Sequence, residues 1–296
     1  MGPDRVKNWL NPIAIVGEGG MSKVWKAWDS QNQRNVAVKV LNRDLAVNDH
    51  EVKLFLEEAR LLKEIHHPNI VEAYDFSVEN GNWYFVMEFV DGYTFANLLQ
   101  RKHHVKESDC LLICESVALA LDYAWNDHGI VHCDIKPENI MINTEGMIKV
   151  TDLGISHRFE QGESSQTEED HIVGTPAYIS PEQIYGDLEL DCRADIYSLA
   201  ATLYHLSTGR ALFHDTPEND ILHQHCDDRA QARDPRDYHP ELSEGFCQML
   251  ESMLVKDRNY RLADWQDVIQ MCRDIESGVR FKPRADASRS SLRLNP

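Results

Sequence analysis

The chain of 296 residues predicts an α+β fold in two lobes, an antiparallel β-sheet lobe followed by a mostly α-helical one. Three observations carry this expectation. The first third breaks into short runs rich in β-branched and aromatic residues, separated by polar turns. Farther along, apolar residues recur at three- and four-residue steps over long stretches. The glycine-rich segment Gly17-Glu18-Gly19-Gly20 falls between two strands, whereas a dinucleotide site would place it between a strand and a helix.

Ile13–Val16, Lys23–Trp28 and Val36–Leu41 are the first three strands, and the polar turn Ser30–Asn35 predicts a hairpin between the last two. Alternation along the third strand places Ala37 and Lys39 on one face and Val36, Val38 and Val40 on the other. His50–Ile65 predicts a helix through Val52, Phe55, Leu56, Ala59, Leu62 and Ile65, ended by His67-Pro68-Asn69. Strands Ile70–Phe76 and Trp83–Phe89 follow, joined by the turn Glu79-Asn80-Gly81-Asn82. Leu111–Asn126 and Ala194–Ser207 predict long helices, the second closed by Gly209 at C′. Helices at Ser243–Leu254 and Asp264–Ile275 complete this part.

Composition removes several function classes. A formal charge of −19 argues against a general nucleic-acid binder or an anionic-membrane protein, and is compatible with basic substrates. Seven cysteines stand singly, with no CxxC pair, which suits a reducing compartment and no disulfide framework. The first residues, MGPDRVKNWLNP, carry neither a signal-peptide core nor a myristoylation signal. No run reaches the ~18 apolar residues of a membrane helix. The expectation is a soluble, cytoplasmic chain with no membrane segment.

The chemistry concentrates in a few places. Glycines such as Gly17, Gly19 and Gly20 let backbone N–H groups close on a phosphate. Lys39, on a sheet face, needs an anion. Glu58 in the following helix is the candidate, with an ordinary surface pair as the alternative. The island His132-Cys133-Asp134-Ile135-Lys136-Pro137-Glu138-Asn139 is followed by Asp152-Leu153-Gly154. One carboxylate to orient a hydroxyl, then an amide and a second carboxylate to hold Mg²⁺, is what phosphoryl transfer requires.

Taken in order, these motifs resemble the eukaryotic-type (Hanks-type) Ser/Thr protein kinases over about Ile13–Ile275. Gly174-Thr175-Pro176-Ala177-Tyr178-Ile179-Ser180-Pro181-Glu182, Asp195 and Arg261 extend the match, and the Gly-Gly-Met-Ser wording of the loop is most similar to the bacterial branch. The resemblance implies a bilobal protein kinase-like fold with residues 1–10 as an N-terminal extension and 11–280 as the kinase domain. Within it, 11–87 would be the N-lobe, 88–92 the hinge and 93–280 the C-lobe, with 281–296 a flexible basic tail.

It also implies roles. The three glycines would cover ATP, and Lys39, oriented by Glu58, would hold the α/β-phosphates. Val24, Ala37 and Met141 would sandwich adenine, with Met87 as gatekeeper and Glu88 to Val90 as the hinge. Asp134 would accept the substrate proton, Lys136 would approach the γ-phosphate, and Asn139 and Asp152 would bind Mg²⁺, with Mn²⁺ as a substitute. Glu182 with Arg261 would anchor the peptide-binding segment, and Asp195 would brace the catalytic loop. Partners would be proteins with Ser or Thr acceptors, with autophosphorylation, and Ser164, Ser165, Thr167 and Thr175 are the activation-segment candidates.

Ser22 at the third glycine position, Leu153 for Phe and Cys133 for Arg depart from the family pattern. The missing Arg implies an activity less dependent on activation-loop phosphorylation, because no guanidinium stands there to pair with the phosphate. Cys133 reads as a small buried residue or, alternatively, a redox-sensitive thiol. His223 and His225, in an expected helix, do not share a face and so argue against a metal site there.

Overall fold

The computed structural model describes residues 10–18, 22–41, 62–79, 82–153 and 176–278. Five antiparallel strands, β1 (Leu10–Glu18), β2 (Ser22–Asp29), β3 (Arg34–Leu41), β4 (Ala73–Glu79) and β5 (Asn82–Glu88), form one sheet in the order β1-β2-β3-β5-β4. Residues directly opposite in an antiparallel pair share a face. The pairs Val24↔Lys39, Lys26↔Ala37, Lys39↔Phe85 and Ala37↔Met87 therefore put all six side chains on the face toward the second lobe. The other face buries Leu10, Ala27, Val36, Val38, Tyr84 and Val86 as a small core of its own. The alternation along Val36–Val40 thus sorts the sheet into a structural face and a chemical one.

The hairpin between β2 and β3 is closed by Asp29, whose Oδ1 accepts from the N–H groups of Gln31 and Asn32 at 3.0 Å each. Burial alone would raise this carboxyl; its bonds from Asn32 and Gln31 outweigh burial and hold it below its ordinary value.

The second lobe opens with β6 (Gly92–Thr94), which pairs with β7 (Ile140–Asn143) and through it β8 (Ile148–Val150). Among the described residues, the rest of this lobe carries helices α1 (Phe95–Lys102), α2 (Glu107–His128), α3 (Pro181–Ile184), α4 (Cys192–Thr208), α5 (Glu218–Cys226), α6 (Glu244–Met253) and α7 (Trp265–Glu276), with short 3-10 turns at Pro137–Asn139 and Pro235–Asp237. Their ends follow capping chemistry. Thr94, Ser243 and Asp264 cap α1, α6 and α7 through side-chain oxygens, and Gly129 and Gly209 close α2 and α4 in the left-handed region. α4 is buried nearly all round and forms the axis of the lobe.

Two glycines are required by close approach. A Cβ on Gly92 would lie 1.9 Å from the Ile142 carbonyl oxygen, and one on Gly209 would lie 2.2 Å from that of His103.

The expected sheet lobe and helical lobe are both present, with local differences. The strand expected at Ile70–Phe76 begins only at Ala73, because Ile70 and Val71 are used elsewhere. Ile70 bridges in parallel to Val150, and Val71 N–H donates to Val150 O at 2.9 Å, which laces the two lobes together. α2 begins four residues before the expected start, where the polar Glu107 and Asp109 complement the helix N-terminus. The expected helix from His50 lies outside the described residues up to position 61, as does the tail 281–296. Among the described residues no helix is long and apolar enough to cross a membrane.

Candidate active site

The segment between α2 and β7 is held in an unusual shape by buried groups. Asp195, in the first turn of α4, accepts from the N–H of His132 through Oδ2 and of Cys133 through Oδ1, each at 2.7 Å. Burial raises the Asp195 carboxyl above its ordinary value, and the two N–H bonds offset only part of that rise. Cys133 has φ 66°, a left-handed conformation costly for a side-chain-bearing residue. Its carbonyl accepts from Gln183 Nε2 at 2.7 Å, so the strained turn is gripped from both sides. Thr202 Oγ1 donates to Ile135 O at 3.2 Å, adding a further tie to α4.

This grip presents Asp134, Lys136 and Asn139 together. Lys136 Nζ lies 2.7 Å from Asp134 Oδ2, and Asn139 Nδ2 donates to the same oxygen at 3.0 Å and to the Asp134 carbonyl at 2.8 Å. With its amide N–H₂ group spent on Asp134, Asn139 keeps its amide oxygen as the end suited to a cation. The Thr151 N–H donates to Asn139 O at 3.0 Å, and the next residue, Asp152, is thereby brought beside the turn.

Asp152 meets the sheet lobe. Lys39 Nζ, on the chemical face of β3, lies 2.6 Å from Asp152 Oδ1. Burial raises the Asp152 carboxyl, but the Lys39 ammonium at hydrogen-bond distance outweighs it and holds the group below its ordinary value. The site is therefore two lysine–aspartate pairs joined through Asn139, under a sheet face carrying Val24, Ala37 and Met87.

Met141 lies on β7, opposite Thr94 and Lys149. Gly17 pairs with Val24 at the end of β1. Glu88 ends β5, its N–H donating to Glu72 O at 2.8 Å, and Val90 beyond it is buried. Arg261 donates two hydrogen bonds to the Glu182 carboxylate, at 2.6 and 3.0 Å, in a bidentate ion pair that is nearly inaccessible on both sides. Gly19, Gly20, Glu58, Ser164, Ser165, Thr167 and Thr175 lie outside the described residues.

Cys133 is buried, with Sγ donating to Val131 O at 3.8 Å. His225 is also buried, and its Nδ1 lies 2.7 Å from Tyr197 Oη, while His223 faces outward on α5. The two histidines do not converge.

Two contributors were not anticipated. Lys149 Nζ lies 2.8 Å from Glu88 Oε2, tying β8 to the end of β5. A lysine inside the buried strand Ile148-Lys149-Val150 is the signal that an anion must be near. Gln183 carries the other. Ser180-Pro181-Glu182-Gln183 has the capping-box spacing, and Gln183 serves both that box and the Cys133 carbonyl.

The chain is similar to several bacterial enzymes. It is 33% identical over 293 residues to the probable serine/threonine-protein kinase PknB of Bifidobacterium longum, covering 94% of this chain and 42% of that one. It is 37% identical to PknB of Mycolicibacterium smegmatis, covering 95% and 46%, and 31% identical to PrkC of Bacillus subtilis, covering 89% and 40%. The chain thus spans less than half the length of these relatives.

Among solved structures, the Mycobacterium tuberculosis PknI kinase domain superposes with a TM-score of 0.70 at 24% identity, covering 90% of this chain and 96% of that one. Rad53 1–466 in complex with AMP-PNP gives 0.72 at 25% identity, covering 89% and 64%. The family model described as the protein kinase domain matches residues 10–272, and the chain belongs to that family.

Proposed function

We propose that the chain is a serine/threonine protein kinase that transfers the γ-phosphoryl group of ATP to Ser or Thr hydroxyls of proteins, with Mg²⁺, or Mn²⁺ in its place. The observation that carries this reading is the pairing of Lys39 with Asp152 and Lys136 with Asp134 around Asn139. Two ammonium groups and two carboxylates with an amide oxygen are the donor set for phosphates and a hard cation. Bound Mg²⁺-ATP supplies the phosphoryl group and the charge that steadies it.

The chain's own residues supply position and proton control. Asp152 and the Asn139 amide oxygen would hold the cation, and Lys39, beside Asp152, would hold the nucleotide phosphates. Asp134 orients the acceptor hydroxyl and takes its proton, while Lys136 neutralises charge at the transferring group. Val24, Ala37, Met87 and Met141 provide the apolar slot for the base, with Glu88 to Val90 at its edge. Asp195 and Gln183 keep the turn rigid, so that little reorganisation remains at the moment of reaction.

The acceptor is a protein segment. A groove beside the turn is lined by Gln100, His103, Pro137, Glu138, Tyr178 and His205. The Glu138 carboxylate and the charge of −19 favour segments with basic residues. The cytoplasm is the compartment that supplies ATP and keeps seven free thiols reduced.

Cys133 sets the regulation. It is buried and uncharged where a phosphate-pairing cation would stand, and the turn is already held by Asp195 and Gln183. Fully dephosphorylated protein therefore retains most of its activity. Inactivity that is relieved by phosphorylation at Ser164, Ser165, Thr167 or Thr175 would count against this. The function itself is tested by offering ATP and Mg²⁺ with a panel of basic Ser/Thr proteins and of small hydroxyl compounds. Transfer to small acceptors alone would overturn the protein-kinase reading.

A further inference from the structure

Away from the site just described, His104, His239 and Glu241 place one ligand atom each within 4.8 Å of one another. His104 follows α1, and His239 follows the turn Pro235–Asp237 that leads toward α6. The two imidazoles lie with ring centroids 4.0 Å apart. Glu241 Oε1 is 3.0 Å from His239 Nδ1. A surface His–Glu pair accounts for two of the three groups. It does not account for a second imidazole brought from another loop to the same point.

Both loops are fixed independently of these side chains. His103 carries φ 67°, and its carbonyl packs where a Cβ on Gly209 would be. The Val105 N–H donates to Leu206 O at 2.7 Å, so the residues on both sides of His104 are anchored to the end of α4. On the other loop, the Leu242 N–H donates to His239 O at 3.1 Å. Glu107, in the first turn of α2, then binds both the N–H and the hydroxyl of Ser243 at 2.6 Å. The donors are thus held together by the backbone around them, which is what keeps a ligand set near its binding geometry.

We propose that His104, His239 and Glu241 form a binding site for a divalent transition ion of the Zn²⁺ class, with water completing the coordination. Two imidazole nitrogens and one carboxylate suit Zn²⁺, Co²⁺ or Ni²⁺, whereas Mg²⁺ prefers oxygen ligands such as Asp152 and Asn139. Binding requires a free lone pair on one nitrogen of each imidazole and on the Glu241 carboxylate. The ion clips the α1–α2 connection to the segment entering α6, and it touches no residue of the phosphate site.

The test uses the whole chain, stripped with chelator and kept in excess Mg²⁺ to fill the oxygen sites. Calorimetry with ZnCl₂ should give one equivalent bound at micromolar affinity or tighter, and Co²⁺ should give the intense visible bands of a four-coordinate ion. His104→Gln and Glu241→Gln should each weaken Zn²⁺ binding on the order of 100-fold and abolish the Co²⁺ bands. Glu241 is mostly exposed, so its variant keeps the fold and decides the matter if His104→Gln does not. Zn²⁺ affinity no better than millimolar, or one equivalent bound undiminished in both variants, would overturn the proposal.

Discussion

Lys39 and Asp152, 113 positions apart in the chain, meet at 2.6 Å across the two lobes. The contact joins one face of a five-stranded sheet to the end of the hairpin that follows the turn carrying Asp134. Each side chain is largely shielded, at 16% and 27% exposure, so the attraction is only partly screened by solvent.

Replacing the lysine separates its two effects. On the proposed reading, Lys39→Met should lower turnover by about 100-fold or more, because a preorganised positive group that would face the phosphates is lost. It should also raise the Asp152 carboxyl, since burial is then opposed only by the weaker lowering effects of His132 and Lys136. A carboxyl ¹³C titration reads that shift directly. In the native chain the folded value lies below the ordinary 3.8. The pair's stabilisation is therefore complete above that value and is lost as pH falls through the folded one. An unchanged Asp152 titration in the variant would mean that the pair does not set its charge.

Asp195 makes a sharper structural prediction. Asp195→Asn keeps the shape but offers one oxygen and one N–H₂ group to two N–H donors. One donor, from His132 or Cys133, is left facing another donor in a buried site. The cost should be on the order of 2–3 kcal/mol in denaturant unfolding. Turnover should fall more than ATP affinity, because the turn carrying Asp134 loosens while the nucleotide slot stays intact.

Glu182 and Arg261 are both buried, so breaking the pair should cost more than a surface ion pair would. Glu182→Ala should destabilise by about 3–5 kcal/mol by stranding the guanidinium. Arg261 also donates to the carbonyls of Val255, Arg193 and Lys256. Arg261→Met should therefore cost at least as much, and the double variant should cost less than the sum. Strict additivity in that cycle would show that the two side chains are not coupled.

Gly92 tests the junction between the lobes. In Gly92→Ala the new Cβ meets backbone, at 1.9 Å from Ile142 O and 2.7 Å from Asn143 Cα, so β6 and β7 must separate. A loss of roughly 1–3 kcal/mol in thermal or urea unfolding is expected. Because Met141 lies on β7, ATP affinity should fall with it. Unchanged stability would mean that the strands yield without cost.

Much of this architecture is legible in the sequence because patterning is local. The valines of Val36–Val40 alternate visibly, and the apolar steps through Leu111–Asn126 and Ala194–Ser207 can belong only to helices. What escapes is set by partners far along the chain. Ile70 looks like the start of a strand beside β5, but it is claimed by Val150 of the other lobe. The sheet β6–β7–β8 is missed because strands such as Gly92-Tyr93-Thr94 are too short to show alternation. Asp134, Asn139 and Asp152 stand out because their chemistry is dense in sequence. Lys39 can be seen to need an anion, but local pattern does not say that Asp152 supplies one. Gln183 is the instructive omission, since its capping-box position is readable and its second bond, to Cys133 O, is not.

On the proposed reading, Asp134 and its neighbours direct phosphoryl transfer to protein hydroxyls. The most direct measurement follows intact mass over time for freshly dephosphorylated wild type and Asp134→Asn, each with ATP and Mg²⁺ and a basic Ser/Thr acceptor protein. Stepwise mass gain of one phosphoryl group on wild type or acceptor, absent with Asp134→Asn although ATP still binds, is the predicted result. No gain with either protein while ATP is bound, or equal gain with both, would contradict it.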